Sequence, residues 1–381
     1  MKRTVVIASV TFLTMAISAF AAPWIEFAVA PSIENQERPD VHGTRIVWQQ
    51  HVSDGEGNWD WDVCFIDLDA AEGDAINLTW YAGNQQSPRI HGNRVVWEDD
   101  SFGDWDIFVT DVADPELPME WAVTPFLDNQ QHPAIYRNIV VWQDDSAGDM
   151  DIWAAELTDP DNPYVFGVAL FDADQQAPVI YNRTVIWEDN YFGDWDIFSA
   201  DIVDTEAPTV RAVSLTDYDQ QNASVWGDLV VWQENISGDW QIWAADMSDP
   251  DAPVEFPIVE AGSLQKNPHI GDNIVVWQDF RNGKDWDVYG YNLTTRREFR
   301  ITDHAADQIN PAVSGNLVVW QDDRDGLWNI YAVELSGPEA ARCAARPVGD
   351  LNGDCIVNMA DLAVLAAHWL ECGFDSPEAC K

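Results

Sequence analysis

A tryptophan-bearing unit repeats seven times along the chain and predicts an all-β fold, a seven-bladed β-propeller. The first tryptophan of the unit stands at Trp48, Trp97, Trp142, Trp187, Trp232, Trp277 and Trp320. Successive copies are separated by 49, 45, 45, 45, 45 and 43 residues, which is the usual length of one blade. No apolar stripe with helical spacing and useful length appears before residue 359, so strands must build the repeat.

Each unit has the pattern of four short strands. In the second copy the predicted strands are Pro88–Gly92, Arg94–Glu98, Trp105–Val112 and Glu120–Pro125. An Asp/Gly-rich hairpin at 99–104 joins the second strand to the third, as turn chemistry prefers. Each tryptophan follows a β-branched run, and such residues favour strands.

The two ends of the repeat array predict how the ring closes. The seventh unit lacks an outer strand after Leu335, and a matching segment, Trp24–Val29, lies near the start of the chain. We expect this segment to pair alongside residues 328–335, because closing the circle removes exposed strand edges. The sequence therefore predicts a propeller over residues 22–337, closed by its N-terminal strand.

The first 21 residues have the pattern of a secretory signal peptide. A basic start is followed by an apolar run, Val5–Ile17, and by small residues that predict cleavage after Ala21. The run is too short for a membrane span, which needs about 20 apolar residues. We expect a secreted or extracytoplasmic protein, at the cell surface or in the periplasm, without a membrane span.

The chain is strongly acidic, with 66 Asp and Glu against 19 Lys and Arg and a net charge of −47. This charge argues against nucleic acid as a partner, because affinity for nucleic acid comes from Lys and Arg neutralising phosphates. The acid does not indicate disorder, since 46% of residues are hydrophobic and 21 are tryptophan.

The repeated acids flank the hairpin between the second and third strands. Clustered carboxylates beside a turn glycine can bind calcium, but they also form Asx turns with their own backbone. The spacing does not match an EF-hand loop, so turn formation is the favoured interpretation. We expect these hairpins and the repeated Gln pairs to open on one acidic face, which is the predicted binding surface for a cation or a polyhydroxylated ligand.

The seven repeated tryptophans are expected to pack between blades, because a feature present in every copy is structural. Stacking on a sugar is the alternative, and it is better served by aromatic residues that do not repeat. The candidates of this kind are Trp80, Tyr191, Phe192, Trp226 and Phe280.

The repeat resembles the TolB-like propeller repeats of exported proteins. The resemblance rests on "PHIGDNIVVWQDFRNGKDWDVYGYNL" (268–293) and "PAVSGNLVVWQDDRDGLWNIYAVEL" (311–335), and it covers about 24–335. It implies the fold rather than an activity, because propellers carry many unrelated functions. Some TolB-like propellers are lyases that act on acidic sugars with a His-bound metal near the axis. His42 and His91 occupy equivalent positions beside the first strand, with His132 and His269 near it, which keeps a lyase-like site open.

The composition changes after residue 337. Residues 338–348 read as a linker, and residues 349–381 as a small module. Four cysteines, Cys343, Cys355, Cys372 and Cys380, suggest two disulfides in this region, and their three pairings stay open.

A calcium loop followed by a helix is predicted in this module. Side-chain oxygens have the spacing of a calcium loop, with a backbone carbonyl at the seventh position. The predicted ligands are Asp350, Asn352, Asp354, Ile356 (through its carbonyl), Asn358 and Asp361. Apolar residues at helical spacing then predict a helix over 359–371.

The stretch Gly349–Leu370 resembles one dockerin type I-like repeat, which implies calcium as a cofactor and a cohesin-like protein or cell-envelope partner. Two departures weaken that implication. Cys355 stands where glycine usually makes the turn, and the second calcium repeat of a dockerin is absent.

These features predict an exported, non-catalytic binding or scaffold propeller, tethered through its calcium module and linked to polysaccharide or cell-surface interaction. No catalytic residue is assigned, because the seven histidines are scattered and no serine has a nucleophile-elbow context. One alternative is a polysaccharide-degrading enzyme, a glycoside hydrolase or lyase, with its site on the acidic face. The other is a purely structural surface protein.

Overall fold

The computed structural model describes residues 24–53, 59–70, 74–114, 119–124, 127–159, 162–259 and 262–336. Within these ranges, strands form seven antiparallel four-stranded sheets, which confirms the all-β, seven-bladed propeller. The predicted signal peptide (1–21), the linker and the calcium module with its ligands lie outside the described residues.

Strands β2 to β28 build the blades in chain order, from the innermost strand at the axis outward. Blades 1 and 2 consist of β2 (Gln36–His42), β3 (Arg45–Ser53), β4 (Trp59–Asp67), β5 (Ile76–Asn77), β6 (Gln85–His91), β7 (Arg94–Asp99), β8 (Asp106–Asp111) and β9 (Glu120–Ala122). Blades 3 and 4 consist of β10 (Gln130–Tyr136), β11 (Ile139–Asp144), β12 (Asp151–Glu156), β13 (Tyr164–Ala169), β14 (Gln175–Tyr181), β15 (Thr184–Asp189), β16 (Asp196–Asp201) and β17 (Thr209–Ser214).

The remaining blades follow the same order. Blades 5 and 6 consist of β18 (Gln220–Trp226), β19 (Leu229–Ile236), β20 (Asp239–Asp246), β21 (Val254–Pro257), β22 (Gln265–Gly271), β23 (Ile274–Asp279), β24 (Asp287–Asn292) and β25 (Arg297–Arg300). Blade 7 consists of β26 (Gln308–Ser314), β27 (Leu317–Asp322) and β28 (Asn329–Glu334), with β1 (Phe27–Ala28) as its outer strand.

The seven repeated tryptophans are each 0% exposed and lie in the core between neighbouring blades. Trp142 of blade 3, for example, packs in one cluster with Val96 and Ile107 of blade 2. The prediction that these residues serve blade packing is confirmed. Their burial is the main apolar contribution to the interfaces, since each large aromatic removes about 150–250 Å² from water.

A second repeated contact joins the blades through the residue that follows each tryptophan. Its side-chain oxygen accepts the backbone N–H of the third residue of the next inner strand, at 2.6–3.0 Å. The seven acceptors are Gln49, Glu98, Gln143, Glu188, Gln233, Gln278 and Gln321, bonded in turn to Ser87, His132, Ala177, Asn222, Asn267, Asn310 and Arg38. We call these bonds the blade staples.

The staples need a backbone kink in each inner strand. The third residue of the strand has φ of 50–54° in every blade, and the register shifts at that point. In blade 2, Ser87 is the kinked residue, and Pro88 follows it. The kink directs the free N–H toward the preceding blade, where the glutamine or glutamate side chain accepts it.

The N-terminal segment contacts blade 7, where β1 pairs antiparallel with β28. The paired residues are Phe27 with Ala332 and Ala28 with Tyr331. The Val29 N–H donates to the Ile330 carbonyl at 2.8 Å, and the Trp24 indole donates to the Ser336 carbonyl at 3.1 Å. The ladder is shorter than the segment Trp24–Val29 that the sequence predicts.

Candidate functional site

The inner strands of all seven blades enclose a central channel of about 490 Å³. One end of the channel, which we call the hairpin face, lies beside the acidic hairpins that join the second and third strands of each blade. The other end, which we call the turn face, lies beside the tight turns that join the first and second strands. The first residue of each inner strand therefore lies at the hairpin face and the last at the turn face.

Five consecutive blades end their inner strand in an aromatic side chain at the turn face. These side chains, which we call the aromatic arc, are His42, His91, Tyr136, Tyr181 and Trp226. Neighbouring ring centroids are 4.3, 4.5, 4.8 and 5.1 Å apart, with interplanar angles of 46–54°. Each ring thus contacts the next, and together they line the channel mouth along five of the seven blades.

The other two blades leave a gap in this ring of aromatic residues. Their inner strands end in Gly271 and Ser314. A Cβ atom on Gly271 would lie 2.3 Å from the Val313 carbonyl oxygen, so the packing of blade 7 against blade 6 forbids a side chain there. The channel mouth therefore has aromatic side chains along blades 1 to 5 and only small residues along blades 6 and 7.

Charged and polar side chains line the lumen below the arc. The third and fifth residues of the inner strands contribute Arg38, Asp40, Arg89, His132 and His269. The Asp40 carboxylate is buried and accepts the Ile90 N–H at 2.8 Å. The Nδ1 atom of His269 accepts the Val313 N–H at 3.2 Å, which places the proton of the neutral imidazole on Nε2.

The channel histidines are held in the neutral form. Burial lowers the pKa of His91 and of His269 to about 4 in each case; the neighbouring His42 adds to the effect at His91, and Asp40 opposes it at His269. Burial also lowers the pKa of His42 and of His132. At neutral pH these rings therefore act as uncharged stacking and hydrogen-bonding groups.

On one side of the lumen, asparagine amides hydrogen-bond to each other. The Asn222 amide donates to Asn267, Asn267 donates to Asn310, and Asn310 donates to the Gln321 oxygen, at 2.6–2.8 Å. These amides largely satisfy one another and stiffen the wall of blades 5 to 7. The wall of blades 1 and 2 carries Arg38 and Arg89 instead.

At the hairpin face, the acids form the turns that the sequence favours, whereas the glutamine pairs lie elsewhere than expected. The first glutamine of each repeated pair lies inside the inner strand and is buried, as Gln85 and Gln130 are, so these residues do not form an open surface. The acids form Asx turns: Asp99 and Asp144 each accept the N–H of the residue two positions on. Within the described ranges, no group of three or more His, Cys, Asp or Glu residues could hold a metal ion.

The predicted sugar-binding aromatic residues fall in different places. Trp80, Tyr191 and Phe192 are 74, 61 and 63% exposed at the periphery. Phe280 contacts Trp286 in a tilted arrangement, with ring centroids 5.2 Å apart. Among the five candidates, Trp226 alone belongs to the arc.

The other arc residues were missed or were read only as possible metal ligands. One signal could have found them, because all five stand at the same repeat position, directly before the turn into the second strand. In the described part of the chain, no helix is long and apolar enough to cross a membrane.

Structural comparison places the chain among known propellers. It superimposes on the β-propeller domain of the trilobed protease from Pyrococcus furiosus with a TM-score of 0.62 and 11% identity, covering 81% of this chain and 98% of that one. An oligogalacturonate lyase from Vibrio parahaemolyticus matches with a TM-score of 0.60 and 11% identity, covering 82% and 94%. TolB from Acinetobacter baumannii matches with a TM-score of 0.48 and 11% identity, covering 66% and 62%.

The first two of these structures match at 11% identity each, and they therefore show the fold alone. A scan against protein-family models and a search of curated proteins found no match.

Proposed function

We propose that this protein is an exported, non-catalytic binding propeller that takes a saccharide on the aromatic arc. The observation that carries the proposal is the unbroken contact of five rings at one end of the channel. A pyranose ring presents C–H groups on its faces and hydroxyls around its edge. Aromatic faces remove the C–H groups from water, and polar groups at the rim bond the hydroxyls.

The dimensions of the channel suit such a ligand. Its volume of about 490 Å³ falls in the range of small-molecule sites, roughly 300–1,000 Å³. The arc is held rigidly, because each ring lies on an inner strand that a blade staple fixes to its neighbour. A preformed platform loses little conformational entropy on binding.

The ends of the chain complete the proposal. The N-terminal strand closes the ring against β28, after removal of a signal peptide at 1–21. The C-terminal module binds calcium through Asp350, Asn352, Asp354, Ile356, Asn358 and Asp361, as its dockerin-like pattern implies. That module tethers the propeller to a cohesin-like protein or to the cell envelope, and the propeller contacts polysaccharide there.

A second candidate function is an enzyme of polysaccharide breakdown. Two observations favour it: the likeness to an oligogalacturonate lyase and the adjacent His42 and His91 rings at the channel mouth. In that case the wild type turns over an acidic glycan, and the His42→Ala variant does not. Under the binding proposal, the wild type shows no turnover at all.

A glycan array carrying neutral and acidic oligosaccharides tests the proposal. We expect the mature protein to bind at least one glycan, and the double variant Tyr181→Ala/Trp226→Ala to lose at least about tenfold in affinity. Trp80→Ala is the matched control, because Trp80 is exposed away from the channel. Binding that is unchanged in the double variant, or absent from the whole array in the wild type, contradicts the proposal.

A further inference from the structure

Two arginines in the channel lack an acidic partner. Arg38 of β2 and Arg89 of β6 line the lumen, and within the described residues neither forms an ion pair. The arginines that do form ion pairs are Arg45, Arg183, Arg211, Arg281, Arg300 and Arg324. The chain has 66 acidic and 19 basic residues, so two arginines without an ion pair in one cavity are unusual, and their guanidinium groups can bind a carboxylate.

Two carboxylates that bond to the inner strands, those of Asp40 and Glu98, already accept hydrogen bonds from neutral donors. Asp40 accepts the Ile90 N–H and is 7% exposed. Glu98 accepts the Gln86 amide and the Ser87 hydroxyl, each at 3.0 Å, through one oxygen. Its other oxygen forms a blade staple. These acids are therefore committed to holding the inner strands in place.

Within the described residues, the two arginine side chains keep N–H groups for which no acceptor is recorded. The Arg38 guanidinium donates to the Ser87 hydroxyl, while no hydrogen bond within the described ranges occupies the Arg89 side chain. Burial has the largest effect on the pKa of His132 and of His269 and lowers both; Glu98 raises the first, Asp40 raises the second, and the charge of Arg89 lowers both. These two histidines belong to blades 3 and 6, so the guanidinium acts across the channel and not only on its own wall.

We propose that the channel recognises a carboxylate-bearing saccharide, whose carboxylate binds Arg38 and Arg89 while its ring stacks on the aromatic arc. The inference rests on the saccharide-binding function proposed above and specifies the class of sugar. Arg89 lies two residues before His91, so its backbone is about 7 Å below the arc at the usual rise of a strand. A guanidinium binds a carboxylate through two parallel hydrogen bonds, which gives the pair both affinity and orientation.

The acidic exterior adds a restriction on the ligand. A net charge of −47 repels a long polyanion laid across the surface. The two arginines proposed to bind the carboxylate, Arg38 and Arg89, lie inside the channel, beneath the arc. The channel therefore takes the terminal residue of an acidic glycan rather than the middle of the chain.

Calorimetric titration with two matched disaccharides tests the inference. Cellobiouronic acid and cellobiose differ only in the terminal carboxylate, and we expect the wild type to prefer the acid by about tenfold or more. The double variant Arg38→Gln/Arg89→Gln is expected to lose this preference while it keeps its affinity for cellobiose. Arg211→Gln is the matched control, because Arg211 pairs with the exposed Asp251 outside the channel.

The outcomes separate the inference from the proposed function. Equal affinity for both sugars overturns the carboxylate site and leaves saccharide binding standing, whereas no binding of any glycan overturns both. Tighter binding of acetyl-alanyl-alanine, which has a peptide carboxylate, also overturns the inference.

Should the double variant fold poorly, two measurements replace it. In the wild type, the preference for the acid is expected to fall as salt rises from 0.05 to 0.5 M, because salt screens the attraction between the carboxylate and the arginines. In Arg89→Lys, the preference is expected to be reduced but not abolished. A preference for the acid that changes neither with salt nor in the Arg89→Lys variant contradicts the inference.

Discussion

Replacing Glu188 by glutamine should stabilise the protein at alkaline pH. Glu188 forms the blade staple from blade 4 to Asn222 of blade 5, at 2.6 Å, and accepts the Gln176 amide at 2.9 Å. The residue is 2% exposed, and burial raises the pKa of its carboxyl to about 7. Five of the seven staples use a neutral glutamine at the same position, so the fold accepts an amide there.

The size of the effect follows from the pKa. The folded pKa of Glu188 lies above its unfolded value of 4.5, so the folded state binds more protons between these limits. Stability from this group is fully present below pH 4.5 and is lost as pH rises through about 7. The shift corresponds to about 3 kcal/mol, since one pKa unit is about 1.4 kcal/mol.

The assay is urea denaturation followed by tryptophan fluorescence at pH 5 and pH 8. We expect Glu188→Gln to raise the free energy of unfolding at pH 8 by up to about 3 kcal/mol, with little change at pH 5. Gln143→Glu alters the equivalent staple of blade 3 and is the matched control. It should lower the free energy of unfolding at pH 8, with a smaller change at pH 5. A Glu188→Gln protein that is less stable than the wild type at pH 8 would refute this reasoning.

Three further predictions concern the core and the two ends of the chain. Trp142→Ala should cost about 3–5 kcal/mol of unfolding free energy, while Trp80→Ala should change it by less than about 0.5 kcal/mol, measured by the same denaturation; similar losses in both would contradict the packing role. Deleting Trp24–Val29 should lower the free energy of unfolding by about 2 kcal/mol, and Tm by several degrees, because the β1 pairing is lost. An unchanged Tm would exclude a closing role for this segment. Calorimetry should find one calcium site in the full chain, lost in Asp350→Ala/Asp361→Ala; calcium binding that persists in the variant would place the site elsewhere.

The blades could be predicted from the sequence because their most constant residues are also the most buried. Trp97 and its six equivalents fix the repeat length, and the β-branched residues before them fix the second strand of each blade. The first strand was placed less well. It begins at Gln85 rather than at Pro88, because the residues before the proline pair with β7 on the far side of the Ser87 kink.

The staples and the arc could not be read from one repeat at a time. Gln143 looks like a surface residue in its own strand, and only the neighbouring blade supplies the Ala177 N–H that it accepts. In the arc, tyrosine, histidine and tryptophan replace one another at a single repeat position. That variation concealed a shared aromatic character, which matters only once the ring brings Tyr181 and Trp226 into contact.

The most direct test of the central claim is a crystal structure of the protein with bound cellobiouronic acid. The account predicts a sugar ring stacked on Tyr181 and Trp226 at the turn face, with its carboxylate between Arg38 and Arg89. A sugar bound instead at the hairpin face, against Tyr191 and Phe192, would contradict it.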